Sequence, residues 1–343
     1  MGEWNDSLDA ALIRWIAILP LASAAVHGLL IGLVRARISQ RSIWAISLSA
    51  LSAAFVLSGL AIFELLGASP GEPILDSMGP WIGGGVGSRR FSAELSFQLD
   101  PLSGVFCLTV TSIALAVYLF TLGAMRSGLM RSGLVQGEAA HRTFAMLDLL
   151  VGSTLVLILA DNFLLFFLGW AGIGVASQLF ASFERESPEA ARAGATTFVI
   201  GRIGDLGLLG ALLLLFDGLS RAGAPALTFR GIRAAFRLLE GQGVALLERG
   251  GGESPLLLEM VGLGLVLAAL TKCAQLPLHV WLPGASGGPV PAAALMQSVT
   301  TVMAGVYVLL RFSFLLESAP LALSVLVGLG AATMLLASLA AAT

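Results

Sequence analysis

The sequence predicts an all-α, polytopic membrane protein with about nine transmembrane helices. Of its 343 residues, 57% are hydrophobic and only 12% are charged, whereas about 25% of the residues in a soluble domain are charged. The mean hydropathy is +0.92. Runs of about 20 apolar residues, which cross the ~30 Å hydrocarbon core as a helix, recur along the chain. An ordinary soluble domain is therefore excluded.

Nine apolar stretches are long enough to be spans. Their predicted ranges are 11–34, 43–66, 101–124, 143–160, 162–183, 194–216, 256–283, 291–316 and 320–342. The stretch Met1–Asp9 before the first span is acidic and lacks the basic region and cleavage site of a signal peptide. The first span is therefore interpreted as a retained helix.

The positions of the arginines predict the orientation. Six arginines follow the first and third spans, at Arg35, Arg37, Arg41, Arg126, Arg131 and Arg142. Connections rich in basic residues stay in the cytoplasm. Both connections are therefore predicted to be cytoplasmic, and the N-terminus external.

Two long connections, 67–100 and 217–255, are Gly-rich and mixed in charge, and are interpreted as loops. In the second, Phe229 to Leu239 predicts a short amphipathic helix at the membrane surface. The glycine run 83–85 lacks the lysine of a phosphate-binding loop, so it is interpreted as a linker.

The seventh span contains the chain's single lysine, Lys272, and is followed within the same apolar run by Pro277. As one straight helix it would be about 42 Å long, which exceeds the hydrocarbon core. A broken helix around Lys272 is predicted, because proline interrupts helical hydrogen bonding. A charge at the bilayer centre costs about 3 kcal/mol, and transporters place ion sites at broken helices. Lys272 is therefore predicted to carry protons, with a purely structural role in capping the break as the alternative.

Composition and motifs exclude other functions. The remaining 18 basic residues are arginines, and the net charge of −2 leaves no basic surface for nucleic acid. Cys107 and Cys273 lie in apolar spans without metal-ligand spacing and are predicted to be inert thiols. No iron–sulfur, haem, flavin or nicotinamide pattern is present. No redox cofactor is therefore predicted in this chain.

Six motifs occur in an order and spacing typical of one family. They are DNFLLFFLGWAGIG (161–174), PEAARAG (188–194), RIGDLG (202–207), LTFR (227–230), TKCAQLPLHVWLPGASGGPVPAAAL (271–295) and AGVYVL (304–309). From about Asp100 to Arg311, the chain resembles subunit L, or chain 5, of respiratory NADH:quinone oxidoreductase (complex I), a family of antiporter-like membrane subunits. Several motifs in the right order are far more specific than any one alone.

The resemblance implies a fold shared with cation/proton antiporter subunits and inorganic-carbon pumps, built from inverted five-helix repeats. It divides the chain into N-terminal membrane helices and loops (1–142), a proton-translocating repeat (143–316) and the start of a second repeat (317–343). The sequence stops at Thr343, at the end of an apolar run. We therefore expect an N-terminal portion of such a subunit, with the second repeat truncated.

The resemblance also implies a chain of intramembrane ionisable groups: a glutamate in the fifth span, a lysine in the seventh and a histidine in the eighth. Only Lys272 is kept. Ala171 stands at the glutamate position and Gln297 at the histidine position, and an amide cannot exchange protons near neutral pH. Gly284 replaces the aspartate that usually follows Trp-Leu-Pro. The architecture is expected to be better kept than the proton chemistry.

Two further groups are predicted to belong to the site. Arg202 and Asp205 lie three residues apart on one face of the sixth span, where neither is stable unpaired. They form an ion pair with each other, or Asp205 faces Lys272; a purely structural pair is equally consistent with the sequence. His279 either accepts protons from water at the helix break or is an interfacial histidine near Trp281.

Other polar residues receive structural interpretations. His27 is expected to serve packing or hydrogen bonding. Asp148 and Asp161 lie near span ends, where carboxylates reach headgroup water and cap helices, and Asp161 is interpreted as the turn and cap before the fifth span. Three glycines of that span are expected to allow close helix packing: Gly169, Gly172 and Gly174.

The predicted function is that of a proton-translocating, antiporter-like subunit in the bacterial inner membrane, partnered by other membrane subunits, lipid and protons. By resemblance, NADH, flavin, iron–sulfur clusters and quinone belong to partner subunits, so the chain is part of a translocase without a redox centre of its own. One alternative is a subunit of a cation/proton antiporter or inorganic-carbon uptake complex. The other is a degenerate structural paralogue.

Overall fold

The computed structural model describes residues 12–30, 39–67, 72–85, 91–126, 138–184, 186–241, 254–285 and 290–342. Interpretations that concern Met1–Asp9, Arg35, Arg37, Arg131 and Thr343 lie outside these residues. The orientation relies on several of them and stays a prediction.

Helices dominate the described parts of the chain. They are α1 (Ile13–Leu29), α2 (Gln40–Gly67), α3 (Pro101–Arg126), α4 (Glu138–Leu159), α5 (Phe163–Ala181), α6 (Pro188–Arg221), α7 (Phe229–Gly241), α8 (Ser254–Lys272), α9 (Leu282–Ala285), α10 (Val290–Ser298), α11 (Thr301–Arg311), α12 (Ser313–Leu316) and α13 (Pro320–Ala342). Within the described residues, seven helical stretches are long and apolar enough to cross a membrane. The polytopic, all-α membrane architecture is thereby confirmed.

The sixth and seventh predicted spans differ in continuity. α6 extends beyond the predicted 194–216 because Ser187 caps it, its hydroxyl accepting a hydrogen bond from the N–H of Ala190 at 3.2 Å. The seventh span is broken as predicted: α8 ends at Lys272, and the chain continues through a turn and a 3₁₀ helix, Leu278–Trp281, into α9.

The eighth span, predicted as one helix, is interrupted as well. α10 ends at Ser298 and α11 begins at Thr301. The carbonyl of Leu295 accepts hydrogen bonds from the N–H groups of Val299 and Thr300, both at 3.2 Å, and from the Thr300 hydroxyl at 2.8 Å. Three donors on one carbonyl displace the regular i to i−4 pattern, which accounts for the break.

The connection 67–100, interpreted as a loop, instead contains an antiparallel hairpin of β1 (Ile74–Gly84) and β2 (Phe91–Leu99). The glycine run 83–85 closes β1 and is not a linker. The sequence of β2, FSAELSFQL, alternates strictly between apolar and polar residues, which is the period of a strand. That alternation is the signal that identifies the hairpin.

Contacts with helix ends anchor the hairpin. Arg14 of α1 donates from Nε to Oδ1 of Asp76 at 2.9 Å, and its backbone N–H donates to Oδ2 at 2.9 Å. Phe97 of β2 forms a bridge with Ala160 at the end of α4. The carboxylate of Asp76 is buried, so the ion pair fixes the hairpin over one end of the helices.

Among the described spanning helices, α4 is the most enclosed, since 78% of the residues in its most apolar segment are buried. Gly169 and Gly172 of α5 face it, and a Cβ on either would overlap α4 atoms, the backbone of Leu157 or the side chain of Ser153. The predicted packing role of these two glycines is therefore confirmed.

The predicted amphipathic helix is confirmed as α7. Its first residue, Phe229, packs against three aromatic rings: Phe163, Phe166 and Phe312. The guanidinium of the buried Arg311 lies 4.7 Å from the Phe229 ring centroid and pairs with Asp100, which immediately precedes α3. This pair links the hairpin end to α11.

Asp161 lies in the turn between α4 and α5. Burial raises the pKa of Asp161, and a 3.0 Å hydrogen bond from the Ser96 hydroxyl partly opposes that effect. The predicted cap belongs instead to Asn162, whose Oδ1 accepts from the N–H of Leu165 at 3.1 Å. The interpretation of Asp161 as the cap was wrong by one residue, because Asp161 binds β2.

Candidate functional site

Lys272 lies where α5, α6 and α8 meet, and it is 4% exposed. The freed backbone after it is bound by protein groups. The N–H of Gln275 donates to the carbonyl of Leu270 at 2.9 Å, and the indole of Trp281 donates to the carbonyl of Thr271 at 2.9 Å. Non-helical backbone at membrane depth requires such partners, so the break is a stable place for a lysine.

The helix break is also hydrogen-bonded to α13. The N–H of Leu276 donates to Oγ1 of Thr333 at 3.1 Å. Nearer the start of α8, the carboxylate of Glu259 accepts hydrogen bonds from the N–H groups of Leu321 and Ala322, both at 3.0 Å. α13 is thus attached to α8 at both ends of the segment that carries Lys272.

Lys272 contacts Trp170 of α5. Its Nζ donates to the Trp170 carbonyl at 3.3 Å and lies 4.8 Å from the centroid of the Trp170 ring. Among the described residues, no carboxylate comes within 4.0 Å of Nζ. The ammonium is therefore held by a carbonyl dipole and an aromatic face.

Arg202 and Asp205 form the ion pair that their spacing predicts, with Nη2 and Oδ2 2.7 Å apart. The other carboxylate oxygen, Oδ1, accepts from Nε1 of Trp170 at 2.8 Å. Hydrogen bonds therefore link Asp205 to Lys272 through Trp170. Of the two predicted arrangements, the structure contains the Arg202–Asp205 pair and not a direct contact between Asp205 and Lys272.

Gly174 differs from the other two glycines of α5 because it faces the charged groups. A Cβ there would lie 3.2 Å from Nη2 of Arg202 and 3.4 Å from Nζ of Lys272. Two cations thus converge on a position of α5 that has no side chain. Sequence reasoning assigned Gly174 to packing, and no local pattern separates it from Gly169 or Gly172.

A small cavity of about 20 Å³ adjoins Lys272, large enough for one water molecule. Its lining is rich in hydroxyls and glycine: Gly174, Ser177, Thr197, Gly201, Thr271, Lys272, Trp281 and Thr301. The hydroxyls of Ser177 and Thr301 are 3.1 Å apart. The site can therefore supply a proton donor or acceptor beside Nζ.

The other positions named from the sequence lie on three separate elements. His279 lies in the 3₁₀ helix, with its Nδ1 buried and without a hydrogen-bond partner, and it has no recorded contact with Lys272. Gln297 is exposed on α10, and Ala171 is partly buried on α5. Trp170, which joins Lys272 to Asp205, was missed because a contact between three helices leaves no trace in sequence spacing.

Asp148 was misinterpreted. It is 1% exposed on the enclosed helix α4 and accepts hydrogen bonds from side chains of α1, α2 and α3. It does not reach headgroup water, because three helices cover it. His27 is hydrogen-bonded in the same cluster, as its interpretation predicts.

Two family models match the chain. Residues 160–343 match the model described as NADH:quinone oxidoreductase/Mrp antiporter, TM. Residues 85–129 match the model described as NADH-Ubiquinone oxidoreductase (complex I), chain 5 N-terminus. The matched ranges contain the hairpin end, α3 and all elements around Lys272.

Similar proteins carry the same names. NADH-quinone oxidoreductase subunit L of Mycobacterium tuberculosis is 32% identical over 328 residues, which cover 94% of this chain and 45% of that protein. Subunit L of Neisseria meningitidis is 30% identical over 330 residues, covering 95% and 45%. NADH-ubiquinone oxidoreductase chain 5 of Allomyces macrogynus is 32% identical over 311 residues, covering 90% and 43%. The chain spans less than half the length of these relatives.

Solved structures share the fold. The Mrp complex from Dietzia sp. aligns with a TM-score of 0.65 at 24% identity, covering 90% of this chain and 29% of that one. The membrane-bound sulfane sulfur reductase, an archaeal respiratory membrane complex, aligns with a TM-score of 0.65 at 16% identity, covering 91% and 55%. At these identities the likeness establishes the fold alone.

Proposed function

We propose a function from one premise: the chain belongs to the NADH:quinone oxidoreductase/Mrp antiporter membrane family, whose model matches residues 160–343. The proposed function is proton translocation as an antiporter-like subunit of a respiratory NADH:quinone oxidoreductase. The observation that carries it is Lys272, a buried amine at a helix break beside a cavity of about 20 Å³. An intramembrane ionisable group of this kind marks an ion path by default.

The chemistry at Lys272 is exchange of a proton between Nζ and water in the adjoining cavity. The 2.7 Å Arg202–Asp205 pair controls the field at Nζ. If a side-chain rearrangement parts the pair, the cation of Arg202 is no longer neutralised near Lys272. Like charges repel in a low-dielectric site, so Nζ then loses its proton. When the Arg202–Asp205 pair forms again, Nζ takes up another proton.

Trp170 couples these events because it touches both groups. Its indole holds Asp205 at 2.8 Å, and its carbonyl holds Nζ at 3.3 Å. A shift of α6 that pulls Asp205 therefore moves Trp170 and alters the carbonyl contact of Lys272. The proposed signal travels from α6 to α8 through this one residue of α5.

The proposed setting is a bacterial inner membrane, with other membrane subunits as partners. Electron transfer from NADH to quinone, with its flavin and iron–sulfur clusters, is assigned to partner subunits. The names of the relatives, NADH-quinone oxidoreductase subunit L and chain 5, support this assignment.

The test is proton uptake into proteoliposomes driven by a membrane potential, read with an enclosed pH-sensitive dye. Lys272→Met should abolish the uptake seen with the parent protein. Arg221→Gln is the matched control, because it removes an exposed cation that pairs with Asp217 at the end of α6. Equal uptake by the parent and Lys272→Met would overturn the proposal.

A structural role is the second candidate, and one observation favours it. Nζ of Lys272 donates to a backbone carbonyl, and no described carboxylate lies within ion-pair distance. A lysine that only stabilises the break would use that same contact. In the proteoliposome experiment this candidate requires uptake to be absent from the parent itself while the protein remains folded.

A further inference from the structure

A second buried polar cluster lies among α1, α2, α3 and α4, away from Lys272. Its members share almost complete burial, none being more than 5% exposed. They are Ser23 and His27 of α1, Ser47 of α2, Tyr118 of α3, and His141 and Asp148 of α4. Six polar side chains from four helices at one point are costly to bury unless they satisfy one another.

Asp148 is the acceptor at the inner end of the cluster. Its Oδ2 accepts hydrogen bonds from the hydroxyls of Ser23 and Ser47, each at 2.6 Å, and its Oδ1 accepts from the Tyr118 hydroxyl at 2.6 Å. Three charge-assisted hydrogen bonds hold the carboxylate. Among the described residues, its nearest basic nitrogen is Nε2 of His27, 4.0 Å from Oδ2.

Two imidazoles form the outer end. Nδ1 of His27 lies 3.2 Å from Nδ1 of His141, and Nε2 of His27 lies 2.9 Å from the Ser47 hydroxyl. Nε2 of His141 is buried and has no hydrogen-bond partner. Because the two Nδ1 atoms are in direct contact, one proton is shared between them and no metal ion fits there.

The hydrogen bonds fix the direction of the chain. Ser47 gives its single proton to Asp148, so it accepts from Nε2–H of His27. A neutral His27 protonated at Nε2 has a bare Nδ1, which therefore accepts from Nδ1–H of His141. That leaves Nε2 of His141 as a bare nitrogen, and it is the unpartnered atom.

We propose that His27, His141 and Asp148 form a proton-binding site that takes up a proton at His141 and holds it at Asp148. A proton binds Nε2 of His141, whose Nδ1 proton passes to Nδ1 of His27. The Nε2 proton of His27 passes to Ser47 as the Ser47 proton passes to Asp148. One proton enters, Asp148 becomes a neutral carboxylic acid, and both imidazoles end neutral in their other tautomers.

The placement of the residues gives the site an entrance and an interior. His141 lies in the first turn of α4, and Asp148 lies seven residues further along, about 10 Å deeper. Among the described residues, the titratable groups that face the imidazoles are those of the cluster itself. The adjacent Arg142 points elsewhere, donating to the Phe183 carbonyl at 2.9 Å. The proton thus moves inward from the helix end.

The test measures the protonation of the histidines directly and needs no transport assay. The chain has three histidines, so ¹⁵N-histidine labelling in lipid nanodiscs gives three residues to titrate by NMR, and His279→Gln assigns the one outside the cluster. We expect His27 and His141 to titrate together and Asp148→Asn to shift both midpoints. Ser47→Ala, which removes the hydroxyl link, should leave the histidines responding to pH independently of Asp148.

Two results would overturn the proposal. One is a single tautomer and charge at His27 and His141 throughout the pH range in which the protein stays folded. The other is an unchanged pair of midpoints in Asp148→Asn. If that variant does not fold, infrared spectra of the parent decide. A protonated carboxyl band that shifts in Ser23→Ala supports the site, and absence of any such band overturns it.

Discussion

Trp170 is the residue on which the charged groups around Lys272 depend. Its indole N–H donates a hydrogen bond from α5 to the Arg202–Asp205 pair, and its carbonyl is the acceptor for Nζ. Each contact uses a different part of the residue, the indole for one and the backbone for the other. Substitution can therefore remove one contact and keep the other.

Trp170→Phe removes the indole donor and keeps the backbone carbonyl. Oδ1 of the buried Asp205 then loses its partner, which costs about 1–3 kcal/mol of unfolding free energy. We expect that loss in detergent-based unfolding and slower proton uptake in proteoliposomes. Trp15→Phe, at an exposed tryptophan of α1, should change neither. Unchanged uptake in Trp170→Phe would contradict the coupling role.

Ala171→Glu places a carboxylate on the turn of α5 between Trp170 and Gly174. Position 171 follows Trp170, whose carbonyl accepts from Nζ of Lys272. Because a carboxylate there is placed for proton transfer, we expect Lys272-dependent uptake to rise by roughly 100-fold or more. Ala171→Gln is the control of matched size without charge. Equal rates for the two variants would show that charge at position 171 does not limit transport.

Sequence spacing identified Lys272 and the Arg202–Asp205 pair because each pattern lies within a single helix, α8 for the lysine and α6 for the pair. Trp170 and Asp148 could not be found in that way, since their partners come from other helices. An aspartate ten residues into α4 has the same sequence appearance whether it faces water or three hydroxyls. Only the packing of helices distinguishes the two.

Among the elements, α6 and α8 pack closely through glycine. A Cβ at Gly204 would overlap the side chain of Thr271, the residue before Lys272, and a Cβ at Gly264 would lie 2.7 Å from the Gly207 carbonyl. Close approach of the two backbones thus sets the distance between Arg202 and the helix break.

Gly204→Ala should separate α6 from α8. Overpacking of this kind costs about 1–3 kcal/mol, and the shift should also reduce proton uptake. Gly210→Ala is the control on the same helix, because no atom lies within 4 Å of the added methyl. Thermal unfolding in detergent measures the stability of both variants. Equal stability of the two would contradict the packing account.

The ion pair of Asp100 and Arg311 joins the hairpin end to α11. The stabilisation that this pair gives the folded protein should depend on pH. Burial alone would raise the pKa of Asp100, but the charge of Arg311 and hydrogen bonds from Ser103 outweigh it and hold that pKa below its ordinary value. The stabilisation is therefore complete above the ordinary value of 3.8. It is lost as the pH falls through the lower pKa that Asp100 has in the folded protein.

Asp100→Asn leaves a buried guanidinium without its carboxylate, which costs about 3–5 kcal/mol near neutral pH. The deficit relative to the parent should shrink as the pH falls below 3.8. Asp217→Asn, at an exposed pair with Arg221, should cost less than about 1 kcal/mol. A deficit that is constant with pH would contradict the ion-pair account.

Hydropathy predicted the spanning elements well because about 20 apolar residues have few other stable arrangements in a bilayer. It missed the hairpin, because the connection 67–100 was interpreted as a loop from its glycines although Phe91–Leu99 alternates strictly. It also missed the break in the eighth span. That break depends on which donors the Leu295 carbonyl accepts, and composition does not record this.

The whole molecule combines two buried polar sites in one membrane chain. One lies among α1 to α4 around Asp148, and the other among α5, α6 and α8 around Lys272. Membership of the family follows from the match over residues 160–343, and the ordered motifs predicted it. At Ala171 and Gln297 the chain departs from the pattern that the resemblance implies, so the proposed transport depends on the groups that the chain keeps.

The most direct measurement of the central claim uses the chain's single lysine. ¹⁵N-lysine labelling gives one Nζ signal, that of Lys272, which NMR can follow in lipid nanodiscs. The account predicts that this signal changes between ammonium and neutral amine within the pH range in which the protein stays folded, and that Asp205→Asn shifts the change. An ammonium signal that persists unchanged in both proteins would contradict a proton-carrying role for Lys272.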